Sequence, residues 1–149
     1  MFVDKDLMIA EKEAIVNGSN AIGDVVDLAA HGRLAGEPVY IVIQFTTPPT
    51  GNGDKVVFSV QTSTAESFTG QNVVTRTLVV SPEITKGDDI ALGLKPLILP
   101  VNIPFAERYL RVYTTATVEN ESTTGKVNIM LVLDAQTAGL QPQEVEATD

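Results

Sequence analysis

Between Arg108 and Val118 the side chains alternate in kind. Leu110, Val112, Thr114, Ala116 and Val118 take every second position, and Tyr109, Arg111, Tyr113, Thr115 and Thr117 take those between. Successive side chains of a strand point to opposite faces, so this run predicts a strand with one core face and one outer face. A helix would scatter the same apolar residues around its whole circumference. Lys126 to Leu133 repeats the pattern, with Val127, Ile129, Leu131 and Leu133 inward. The polar stretch Glu119 to Gly125 between the two runs predicts a β-hairpin with a long loop. Met130 and Val132 then fall on the nominally outer face, where either a second layer or a partner must cover them.

Period-2 runs recur along the chain. Val39 to Phe45 places Val39, Ile41, Ile43 and Phe45 on one face, and a loop, Thr46 to Asp54, follows by its Pro and Gly content. Lys55 to Thr62 directs Val56, Phe58 and Val60 inward, and Ser63 to Gln71 is a polar connection. In the next strand, Val73 to Val80, Arg76 shares a side with Val74, Leu78 and Val80, so its faces are mixed. Ser81-Pro82 ends that strand, and Lys86-Gly-Asp-Asp89 is a turn. Leu94 to Pro104 is apolar but carries Pro96, Pro100 and Pro104, which confine it to an edge strand or an irregular wall. Glu13 to Val16 and Asp24 to Ala29 are weaker strand candidates, and residues 4–14 are compatible with a short helix capped by Asp4 or Asp6.

About eight strands with near-regular turns predict an all-β fold, an antiparallel jelly-roll β-sandwich. A Greek-key sandwich of the immunoglobulin type is the near alternative. The expected core contains Ile41, Ile43, Phe58, Val60, Leu110, Val112, Ile129 and Leu131. One domain, residues 1–134 with an N-terminal arm, is expected from a chain of 149 residues. Residues 135–149 form an acidic tail, and the tail and residues 1–10 are expected to order on contact with a partner. The composition supports this fold class. Nineteen Val, 10 Ile and 16 Thr supply stiff β-branched side chains that suit a pleated sheet.

Little in the sequence can carry chemistry. There is no cysteine, hence no disulfide and no thiolate. His31, in Ala-Ala-His-Gly-Arg, is the single histidine and lacks a Gly-x-Ser-x-Gly elbow to serve. A zinc site of the usual His and Cys kind cannot be built from it. Asp88-Asp89 beside Gly87 lacks the spaced acidic loop of an EF-hand. Gly51-Asn-Gly53 leads into no Lys-Ser/Thr and is no phosphate loop. No catalytic residue, metal or cofactor is therefore expected. A net charge of −9 opposes binding to a phosphate backbone, so no nucleic-acid partner is expected. No apolar run reaches the ~20 residues of a membrane span, and no apolar stretch of the signal-peptide kind follows Asp4, Lys5 and Asp6. Neither a membrane partner nor a secretory signal is expected. Arg108, Tyr109, Arg111 and Tyr113 are candidate protein-interface residues, because Arg and Tyr are enriched where proteins meet. Met130 and Val132 join them as apolar outer-face residues.

The segments Ile103-Pro-Phe-Ala-Glu-Arg-Tyr-Leu-Arg-Val-Tyr113 and Asn20-Ala-Ile-Gly-Asp-Val-Val-Asp-Leu28, with the closing run Val127 to Leu133, resemble the Bordetella-phage-type capsid cement proteins of tailed bacteriophages. The resemblance spans the chain to about Leu133. It implies a jelly roll that decorates the outer surface of an icosahedral head, bridges major capsid subunits and has no enzymatic activity. The partner would be the major capsid protein, the place the virion after synthesis in the host cytoplasm. A small homo-oligomer is expected, dimer first and trimer second. The alternative is a carbohydrate-binding or receptor-binding β-sandwich module of a virion or cell surface. Such modules usually show exposed aromatics or calcium carboxylates, and this chain has no Trp and only 5% aromatics.

Overall fold

The computed structural model describes residues 8–28, 39–101, 106–119, 121 and 123–133. Among them are nine strands and no helix. They are β1 (Met8–Val16), β2 (Gly18–Asp27), β3 (Val39–Thr47), β4 (Lys55–Ser63), β5 (Thr75–Val80), β6 (Ile84–Thr85), β7 (Leu97–Val101), β8 (Tyr109–Thr117) and β9 (Thr123–Leu133). The first sheet runs β1-β9-β3-β7, and the second runs β2-β8-β4-β5 with β6 also on β4. Every pairing is antiparallel.

The pairings show a long ribbon folded back between β4 and β5. β1 meets β9, β2 meets β8, β3 meets β7 and β4 meets β5. Winding the ribbon brings β3 against β9 and β4 against β8, which closes the two sheets of a jelly roll. The eight expected core residues are all at most 1% exposed. They come from β3 and β9 of one sheet and from β4 and β8 of the other, so their inward faces meet in the middle. Phe45 and Phe58 pack edge to face across this seam, with ring centroids 6.1 Å apart.

β8 and β9 do not form a hairpin: β8 pairs with β2 and β4, and β9 with β1 and β3. Both carry a full apolar face, and placing them in opposite sheets lets those faces cover each other. The stretch 118–122 can extend to about 17 Å, enough to cross the roughly 10 Å between packed sheets.

The helix considered over residues 4–14 is not formed from Met8 onward, because Ile9, Ala10 and Ile15 are buried in β1. Its alternation is hidden by irregularities in the ladder with β9 and by Lys12, whose φ of 51° is left-handed. The Lys12 N–H donates to Asn128 Oδ1 at 2.7 Å, which holds that turn of the backbone in place. For the same reason Met8–Ala10, expected within a flexible arm, are strand residues.

β2 likewise extends well before Asp24, and its register with β8 shifts between Ile22 and Val26. Gly23 lies within that shift at φ +81°, and a Cβ there would stand 2.4 Å from the Ile9 carbonyl oxygen. Only glycine permits β1 and β2 to approach so closely where the sheets converge.

Within the proline-bearing run Leu97–Val101 is β7, an edge strand as expected, with Pro100 opposite Tyr40, while residues 102–104 lie outside the described residues. His31 and the tail 135–149 lie outside the described residues.

Candidate interface on the outer face of the second sheet

β8 presents Tyr109, Arg111, Tyr113, Thr115 and Thr117 on the outer face of the second sheet, because Leu110, Val112, Thr114 and Ala116 are drawn into the core. Across the ladder from β4 stand Ser63, Gln61, Ser59, Val57 and Lys55. From β2 come Asp27 beside Tyr109, Ala21 beside Tyr113 and Ser19 beside Thr115. The face is thus a lattice of hydroxyls and two tyrosines around one central cation.

That cation is Arg111, and it is held. Its guanidinium carbon lies 4.2 Å from the ring centroid of Phe68 and 5.0 Å from that of Tyr113. Its Nε donates to Gln61 Oε1 at 2.8 Å. Burial lowers the pKa of the group from the ordinary arginine value, and the nearby Tyr113 opposes that shift. The side chain remains a cation all the same. Among the described residues nothing takes up its Nη groups, so a planar donor pair is fixed in a face of hydroxyls. Such a fork suits a carboxylate or a carbonyl on a partner.

Arg108 differs. It is exposed, and its Nε and Nη2 donate to the two carboxylate oxygens of Asp27 at 3.0 and 2.9 Å. Its hydrogen bonds to Asp27, then the charge of that carboxylate, raise the arginine's pKa. Its guanidinium carbon also lies 5.1 Å from the Tyr109 ring centroid. This pair ties β8 to β2 at the rim. Tyr109 and Tyr113 are half-buried.

Met130 and Val132 are not part of this surface. They lie on the outer face of the first sheet and are buried, at 9% and 0% exposure, in a small cluster with Val42, against Met8, Tyr40 and Ile98. Of the two covers considered for them, the chain itself supplies one, so they offer no open contact to a partner in this structure.

Phe68 was not legible as a site residue. It sits in the connection read as polar, with φ 61°, and is 5% exposed because it folds onto Arg111. A lone aromatic within Ser-Thr-Ala-Glu-Ser-Phe-Thr-Gly was the available signal.

At one end of the sandwich the loops are fastened by Asp54, the one charged side chain buried among the described residues. Its Oδ1 accepts the Glu119 N–H at 2.8 Å, and its Oδ2 accepts the Gly51 N–H at 3.0 Å and the Thr124 hydroxyl. Burial raises its pKa, but the hydrogen bonds from Glu119, Thr124 and Gly51, with the charge of Lys86, together outweigh that and hold it below the usual carboxylate value. Asp88 closes the expected turn at 86–89 by accepting the Thr85 N–H at 2.9 Å. Among the described residues no three acidic or histidine side chains come together to hold a metal ion.

No protein-family model matches the chain, and no curated protein matches it in sequence.

Proposed function

We propose that this protein is a capsid decoration protein of a tailed bacteriophage. It binds the outer surface of the icosahedral head, bridges major capsid subunits and stabilises the shell without catalysis. The observation that carries this reading joins sequence to structure. The two segments with cement-protein resemblance, Asn20 to Leu28 and Ile103 to Tyr113, contribute β2 and β8, which are paired neighbours. They build the face that displays Arg111 between Phe68 and Tyr113. A decorating protein needs a contact surface fixed before binding, since ordering it on contact would cost affinity. Many copies side by side multiply a modest affinity. In this reading the partner is the major capsid protein, the free form is a dimer, and the mature location is the virion.

The test is co-sedimentation of the purified protein with expanded heads, unexpanded heads and free DNA. Binding to expanded heads alone is expected, and stripped heads should break at lower temperature until the protein is added back. Failure to bind heads of its own virus would refute the reading. Binding that a soluble glycan abolishes would favour a carbohydrate-binding module instead.

A further inference from the structure

The segment between β6 and β7 does something unusual with its leucines. Leu92 is 48% exposed and Leu94 72%, the latter the most exposed large apolar residue described. Single exposed leucines are common, but these two stand on a fixed platform. Ala91 between them and the turn is wholly buried, and Ile90 packs on the core. The Leu92 and Leu94 N–H groups donate to the carbonyls of Asp88 and Asp89, both at 2.9 Å. Gln44 Nε2 on β3 donates to the Gly93 carbonyl at 2.9 Å. Gly93 has φ +77°, and a Cβ there would stand 3.0 Å from the Phe45 carbonyl oxygen. The backbone is therefore fastened to the first sheet by groups that do not involve the leucine side chains. Beside it is an open depression of about 420 Å³, whose walls include Ile84, Ile90, the acidic side chains of Glu83, Asp88 and Asp89, and Lys95.

We infer that Leu92 and Leu94 form a docking prong that seats in an apolar socket bordered by lysine or arginine side chains on a partner protein. Three carboxylates against the single Lys95 leave this wall net negative, on a chain of net charge −9, and supply the complementary charge. The same charge disfavours an anionic lipid surface and a nucleic-acid backbone. The pre-set turn means the leucines bind without first being ordered. That this socket belongs to the capsid surface rests on the function proposed above. This contact is separate from the Arg111 face, and two separate contacts are what bridging neighbouring subunits requires.

The experiment compares the wild-type full chain with Leu92→Ser/Leu94→Ser and with Glu83→Gln/Asp89→Asn. All four side chains are exposed, so both variants are expected to fold, as checked by circular dichroism and urea midpoint. In co-sedimentation with expanded heads the leucine variant is expected to bind at least tenfold more weakly. The charge variant is expected to lose part of the salt dependence. Wild-type and leucine-variant binding of equal strength would overturn the prong and leave the decoration function standing. Absence of wild-type binding would overturn the function, and the capsid socket with it. Flotation with vesicles of zwitterionic or anionic phospholipid forms the third arm; leucine-dependent flotation would overturn the protein socket in favour of a lipid surface.

Discussion

Replacing Asp54 tests how the loop end of the sandwich is held. The residue is 2% exposed, and its carboxylate is the shared acceptor for the loop before β4, the loop after β8 and the start of β9. Truncation to Ala strands the N–H groups of Gly51 and Glu119, while the Thr124 hydroxyl can rotate elsewhere. Hydrogen bonds to a charged acceptor contribute about 1.5–3 kcal/mol each. Two of them, with some water admitted at the sandwich end, give an expected loss of about 3–5 kcal/mol. Asp54→Asn is gentler. Oδ2 serves two donors, so the amide oxygen settles there and its NH₂ faces the Glu119 N–H, for a loss of about 2–3 kcal/mol.

The sign of the pH dependence follows from the lowered pKa of the folded carboxyl. Its stabilisation is fully present above the unfolded value of about 3.9 and is lost as pH falls through the lower folded value. Urea unfolding of wild type and both variants should show a constant gap from pH 5 to 8 that narrows below about pH 4. A gap of equal size at pH 6 and pH 3, or a loss under about 1 kcal/mol for the Ala variant, would refute the account.

Other outcomes are as specific. Leu110→Ala and Ile129→Ala, each at most 1% exposed, should each cost about 2–5 kcal/mol in urea unfolding. Gly23→Ala should cost about 1–3 kcal/mol for the left-handed backbone alone, with the Ile9 carbonyl in the way besides; no loss would show that β1 and β2 can part freely. Arg111→Ala removes two ring contacts and the bond to Gln61, for about 1–2 kcal/mol of stability, and should weaken head binding. Arg108→Ala, at the exposed rim pair, should leave the urea midpoint where it is.

The strands that alternate cleanly were legible from sequence. β4 and β8 alternate, β3 and β9 bury Val42, Met130 and Val132 on their other face as well, and all eight core residues named from that period are inside. β1 was not, because its departures from register at Lys12 and its neighbours put Ile9 and Ala10 both inside. Pairing was harder still: period 2 says which face is buried and not which strand lies alongside, so β8 and β9 read as a hairpin. At the candidate site, Arg111 and Tyr113 were found as outer-face residues of a strand. Phe68 and Asp54 were not, since a loop side chain folded onto a sheet and a carboxylate buried among backbone N–H groups leave no periodic trace.

The folded-back ribbon also dictates an order of assembly. Among the described strands only β4 and β5 pair as immediate chain neighbours, whereas the β1 ladder joins Met8 to Met130. β9 in one sheet and β8 in the other, each an interior strand, are made after both of their ladder neighbours. A chain emerging from a ribosome can close β4 on β5 and β3 on β7, but β1 and β2 have no ladder until β8 and β9 appear. Contacts between such distant residues close slowly. The earliest strands must therefore wait, with their apolar sides open, for the chain's last strands to insert between them.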